Sequence, residues 1–309
     1  MPQRVPLTNI PARPFTVAEG AHLGLNRGRL RSPDLLRPHR GVRVPAATAP
    51  PTDRIVRQAL AYLPALLDGQ CFSHSTAAWL WGCPLRNDPG EHLHVTARLP
   101  TRAPRRPGVV GHHARGLTIA RRGEFPVTDA VTTWLSLAAI LPLDELVVAA
   151  DHLMLDPYQL DPADLRPYVS REQLAEAVEG FHGRGARAAA SALRLARSGA
   201  ESRQETLLRL LLQRAGLPDP ELNTDVTDVA GRVLGRGDLV YPAFRTVVEY
   251  DGEQHRLDDR QYERDEHRIE SFFGARWDVV RVRKRGLGAA RADTVARVTR
   301  ALVRGGWTP

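Results

Sequence analysis

Apolar residues recur at helical spacing in some stretches of this 309-residue chain and alternate in others. Thr16 followed by Glu19 has the spacing of a capping box and starts a short helix within Phe15 to Ala21. A second helix is predicted from Asn26 to Leu36, and Arg40-Gly-Val-Arg-Val-Pro reads as a strand stopped by its proline. Ile55, Ala59, Leu63 and Leu66 give Thr52 to Leu67 a helical face. Ser73-His-Ser-Thr-Ala-Ala-Trp-Leu-Trp-Gly opens a helix that the glycine closes. His92-Leu-His-Val-Thr alternates as a strand, Pro100 to Pro107 is a loop, and Val127-Thr-Asp caps a helix over Ala130 to Ile140. Tyr168 to Phe181 and Arg187 to Arg197 each hold a helix in the alanine- and arginine-rich stretch 156–199.

The clearest pattern is C-terminal. Ser202-Arg-Gln-Glu205 has capping-box spacing, and Leu207, Leu208, Leu210, Leu211 and Leu212 make the following helix strongly apolar until Gly216-Leu-Pro stops it. Leu222 to Thr227, Gly237-Asp-Leu-Val-Tyr-Pro and Arg245-Thr-Val-Val-Glu-Tyr-Asp-Gly read as three strands. Asp238 stands near the start of the second, and Glu249 and Asp251 lie on the third. Asp258 to Phe273 is a charged helix, Arg276 to Arg283 a fourth strand and Ala289 to Val303 a closing helix. Helix, three-strand meander, helix, strand, helix predicts a mixed sheet flanked by helices. The chain as a whole is therefore expected to be α/β (α+β overall). Four segments are expected: 1–50, a mixed α+β region over 51–155, a helical linker over 156–199, and 200–309.

Composition narrows the class only a little. The chain is 42% hydrophobic and 25% charged, ordinary values for a globular protein, and it has no apolar run of about 18 residues to span a membrane. Met1 to Leu7 is polar, with no signal-peptide core behind it. Cys71 and Cys83 are too few for a disulfide scaffold or a cysteine zinc site, so a reduced, cytoplasmic protein with no membrane partner is expected. Lys284 is the only lysine among 43 basic residues, a bias that points to a GC-rich genome and says little about function. Position says more than the total. Of the net charge of +8, residues 1–50 carry +6. Arg27, Arg29, Arg31 and Arg40 in that segment are candidate phosphate contacts.

The acids of the C-terminal segment are the candidate chemistry. Asp238 and Glu249 are eleven residues apart, and the turn at Pro242-Ala-Phe brings them to adjacent positions on neighbouring strands. Asp251, two residues on, points the same way along its strand. Such an acidic set in an apolar sequence is costly to bury without a cation or hydrogen-bond donors. Phosphodiester hydrolysis asks for hard cations, and Mg²⁺ (or Mn²⁺) takes carboxylate oxygens while keeping several waters, so two or three convergent acids suffice. Glu205 is a candidate third carboxylate that its capping box would equally explain, and Glu201 is an alternative at the same helix start. His255 follows in the exit loop. Asp265 and Arg268, three apart on one helix face, either pair with each other or serve the site. His74, His92, His94, His112 and His113 show no fixed ligand spacing and are read as structural.

Several of these motifs agree in order with a known family. Glu205, the Gly216-Leu-Pro helix end, Asp238, Val-Val-Glu249-Tyr-Asp251-Gly252, His255, Asp265 with Arg268, and Trp277-Asp-Val-Val-Arg-Val resemble the very-short-patch-repair-like branch of the PD-(D/E)XK nucleases over about 200–285. The resemblance implies a restriction-endonuclease-like fold, with Asp238, Glu249 and Glu205 as metal ligands. His255 would then lie near the attacking water or the phosphate, and Arg268 would contact DNA. The lysine of the superfamily's name is missing, since position 251 holds Asp. Helix, helix and an Arg-Gly-Val strand at the N-terminus resemble the winged helix-turn-helix of abortive-infection type antitoxins, a basic arm being the alternative. The implied activity is Mg²⁺-dependent endonucleolytic hydrolysis of DNA directed by the N-terminal domain, with a homodimer as one arrangement. The rivals are a non-catalytic DNA-binding regulator of the antitoxin type, and an RNA-directed nuclease or toxin component.

Overall fold

The computed structural model describes residues 10–47, 51–86, 92–252 and 259–309, with only the backbone of 259–266. It mixes helices with mixed sheets, as an α/β chain should. Contacts group the chain into two compact units, Met1–Ile140 and Leu141–Pro309, where the sequence suggests four segments. Each is described by itself. Among the described residues no helix is long and apolar enough to cross a membrane.

The first unit opens with β1 (Phe15–Thr16) and α1 (Val17–His22), whose Thr16 hydroxyl accepts the Glu19 amide at 3.0 Å. The helix predicted over Asn26 to Leu36 is not formed. A 3-10 turn, Arg29–Arg31, is followed by the short strand β2 (Leu35–Leu36). Two residues account for the break. Gly28 weakens a helix interior, and Pro33 pushes Ser32 to an extended ψ of 145°. β2 and β1 flank β3 (Val42–Pro45) in a small antiparallel sheet over Phe15, Leu30 and Leu35.

Side chains of this small sheet cross the boundary expected near residue 50. The His39 ring stands edge-on to Tyr62 at 5.0 Å, and Arg106 donates to the Arg40 carbonyl at 2.8 Å. Tyr62 ends α2 (Arg54–Tyr62), which Asp53 caps through the Val56 amide at 2.8 Å. The remaining elements are β4 (Gln70–Phe72), α3 (His74–Leu80), β5 (Leu93–Arg98), β6 (Val109–Ala114), β7 (Ile119–Arg122), β8 (Phe125–Thr128) and α4 (Ala130–Leu137). Their sheet has the order β6-β5-β4-β8-β7, with β5 parallel to β6 and antiparallel to β4. Leu93, Val95 and Ala97 of β5 are buried, so His94 and Thr96 look to the other face.

The second unit begins with α5 (Leu143–Met154), α6 (Arg171–Glu179), α7 (Ala186–Leu195) and α8 (Arg203–Arg214). The helical linker expected over 156–199 is no free spacer, since α5 packs against both α7 and α8. Buried Asp151 of α5 accepts the Arg209 guanidinium at 2.8 Å, the Thr206 hydroxyl at 2.9 Å and the Arg197 amide at 2.7 Å. After α8 come β9 (Glu221–Thr227), β10 (Val233–Tyr241), β11 (Thr246–Tyr250), α9 (Asp259–Gly274), β12 (Asp278–Val282) and α10 (Arg291–Arg304). The sheet order is β12-β11-β10-β9: an antiparallel meander, then β12 parallel to β11 across the α9 crossover. Leu239, Val248, Val280 and Val282 pack with Leu208 and Leu212 of α8 and with Val298 and Leu302 of α10. Val226, Val240 and Val247 pack with Ile269 and Phe272 of α9. The sheet is thus covered on both faces.

Candidate functional site

Strand register places the two principal acids together. Leu239 pairs with Val248, so one step outward Asp238 stands opposite Glu249, on the α9 side with Val240 and Val247. β10 begins at Val233, not near Gly237 as its sequence suggests, so Asp238 lies well inside the strand. The Tyr250 amide donates to Asp238 Oδ2 at 2.7 Å. The other oxygen, Oδ1, has no hydrogen-bond partner among the described residues, and Asp238 forms no ion pair there. Burial pushes the Asp238 carboxyl well above the ordinary range, and the charges of Glu249 and Glu205 push it further; the Tyr250 amide and Arg268 oppose them.

Glu205 reaches this cluster because its capping box is only half made. The Ser202 hydroxyl accepts the Glu205 amide at 3.2 Å, but the Glu205 carboxylate accepts from the Glu201 amide at 2.8 Å and the Asn223 side chain at 2.6 Å. The return bond to the cap residue, expected of a full box, is replaced by these two. Asn223 belongs to β9, and no motif in the sequence points to it. Glu201 itself is exposed, with its carboxylate 3.6 Å from Arg236.

Arg268 completes the group. Its guanidinium forks onto both oxygens of Glu249 at 3.0 and 3.1 Å and also donates to the Arg236 carbonyl. The stem lies against β10 at a bulge, where a Cβ on Gly235 would fall 2.8 Å from Arg268 Cγ. Glycine at that position is what lets the arginine through. Glu249 therefore spends both oxygens on Arg268, and the three carboxylates are not gathered into a close ligand set in this structure.

The other predicted residues fall elsewhere. Asp251 lies just past the end of β11, and its carboxylate pairs with Arg283 at 2.9 Å and Arg281 at 3.5 Å. His255 is outside the described residues, as is the Asp265 side chain. In the first unit Arg27, Arg31 and Arg40 are exposed, while Arg29 is bound bidentately to Asp34 at 2.7 and 2.8 Å. The Arg29 hydrogen bonds hold the Asp34 carboxyl down to about 2.

A second cluster joins histidines that their sequence spacing leaves unconnected. His74 at the start of α3, His94 of β5 and His112 of β6 form the one group of three His, Cys, Asp or Glu among the described residues whose ligand atoms all lie within 4.8 Å of one another. His94 Nδ1 is 3.0 Å from His112 Nε2, and the His74 and His112 rings stack at 3.8 Å between centroids. Burial pushes the His74 ring down to about 3 and His94 to about 4, and lowers His112, with the neighbouring imidazoles adding to the first two; all three are neutral at pH 7. Spacing could not reveal the set, since three elements supply it and only the parallel pairing of β5 with β6 brings 94 and 112 together.

No protein-family model, curated protein or solved structure matches this chain.

Proposed function

We propose that residues 200–309 are a Mg²⁺- or Mn²⁺-dependent nuclease domain of the PD-(D/E)XK type that hydrolyses phosphodiester bonds in DNA, and that the basic N-terminal segment holds the nucleic acid. The observation that carries this reading is Asp238 facing Glu249 across β10 and β11, with Glu205 acting on the same point. All three donors are oxygens, and Asp238 keeps one oxygen without a partner among the described residues, which fits a hard divalent cation once Glu249 exchanges Arg268 for it. Asp238, Glu249 and Glu205 would hold it. When bound, such a cation offsets charge on the scissile phosphate and lowers the pKa of water.

The chain's own groups then have definite parts. The Tyr250 amide fixes the Asp238 carboxylate, and Asn223 with the Glu201 amide fixes Glu205. Arg268 is the cation beside the acids, and its fork fits a phosphate as well as a carboxylate. It thereby offers the positive charge that the missing lysine would bring. Exposed Arg27, Arg31 and Arg40 can meet phosphates without sequence preference.

The same ion pair favours one other reading. If Arg268 holds Glu249 permanently, the domain is a non-catalytic DNA-binding regulator. The test is a nicking and cleavage assay on DNA and RNA substrates with Mg²⁺ or Mn²⁺. Metal-dependent cleavage is expected, falling by at least about a thousandfold in Asp238→Ala and in Glu249→Ala while DNA binding persists. An inert wild type that binds DNA would favour the regulator, and cleavage surviving both substitutions would place the activity elsewhere.

A further inference from the structure

We infer that His74, His94 and His112 form a zinc site in the first unit, separate from the acidic cluster. Three imidazoles from three elements converge here, His74 from the first residue of α3 and the others from adjacent parallel strands. Tetrahedral zinc with Zn–N bonds of about 2.0 Å holds its ligand nitrogens about 3.3 Å apart. The 3.0 Å between His94 Nδ1 and His112 Nε2 is close to that edge. The rings lie stacked, so an ion would draw them round by turning χ2, a broad and soft torsion.

Two further features point the same way. His74 has a φ of 51°, a conformation that L residues rarely adopt, and it is this backbone that turns the ring onto the sheet. Its Nδ1 is 3.0 Å from the Ser73 hydroxyl. With Nδ1 so partnered, Nε2 is the nitrogen left for an ion, as metal-bound histidines are commonly held by a second partner. No carboxylate or thiolate among the described residues joins the group, and an all-imidazole set selects zinc over Mg²⁺ or Ca²⁺. Three protein ligands leave a fourth position open to water, the pattern of an accessible zinc.

The test uses the full chain stripped with chelator and titrated with Zn²⁺ and then Co²⁺. One Zn²⁺ per chain is expected at the histidines, beside any that the acidic cluster takes. Its affinity should drop at least about a hundredfold in both His94→Gln and His112→Gln and stay unchanged in Asp238→Asn/Glu249→Gln. Wild type loaded with Co²⁺ should show the intense visible bands of a four-coordinate ion. Zn²⁺ binding weaker than about 10 µM, binding indifferent to both histidine substitutions, or binding lost only in the acidic variant would each overturn the assignment. Should either histidine variant fail to fold, the wild-type Co²⁺ spectrum decides, because weak six-coordinate bands alone contradict an imidazole site.

Discussion

Asp151 and Asp238 lie in the same unit, Asp151 buried and Asp238 half-buried, and their surroundings answer the loss of water in opposite ways. Burial pushes the Asp151 carboxyl up, and its neighbours pull it back: the Arg209 guanidinium first, then the Arg197 amide and the Thr206 hydroxyl. Burial also pushes Asp238 up, but there Glu249 and Glu205 add to the push, and only one amide and a more distant arginine oppose it. A carboxylate needed for architecture is given donors, as the α5–α8 junction gives Asp151. One surrounded by further carboxylates and left with an unused oxygen is maintained at a cost, and such costs concentrate at functional sites.

The largest effect that would sharpen this contrast comes from Arg209. Arg209→Met leaves Asp151 charged and unpaired in the core, so urea denaturation should show a loss of about 3–5 kcal/mol. A loss under about 1 kcal/mol would mean that Asp151 is no architectural ion pair.

Asp238→Asn should behave differently, because an amide keeps the bond from Tyr250 and removes repulsion among the acids. In metal-free protein at pH 7 it should be neutral or stabilising by about 1 kcal/mol. Its pH dependence has a fixed sign. A carboxyl whose folded pKa is raised binds its proton more tightly in the folded state. Its contribution is therefore full below the ordinary value of 3.8 and is lost as pH rises through the raised folded value. The chelated wild type should lose melting temperature over that rise faster than Asp238→Asn. Parallel profiles would dissolve the distinction from Asp151.

Much of the C-terminal half is legible in the sequence, for physical reasons. Alternating Val and Leu around Asp238 and Glu249 define strands, a turn of Pro242-Ala-Phe sets their pairing, and antiparallel register does the rest. α8, α9, β12 and α10 also lie where capping and periodicity place them. Less can be read where side chains choose among partners. Arg268 bonds Glu249 from a distant helix, Asp251 is drawn to Arg281 and Arg283, and Glu205 leaves its cap for Asn223. Asn26 to Leu36 has the apolar and basic pattern of a helix, but the local veto of Gly28 and Pro33 outweighs it. The histidine set needs the β5–β6 pairing, a long-range fact that no spacing contains.

The central claim is that the acids around Asp238 form a cation site, and Mn²⁺ binding tests it without depending on any substrate. Chelator-stripped protein should be titrated with Mn²⁺, free ion being followed by electron paramagnetic resonance. The wild type is predicted to bind Mn²⁺ with an affinity at least about tenfold above that of Asp238→Asn. Superimposable titrations for the two proteins would contradict the account.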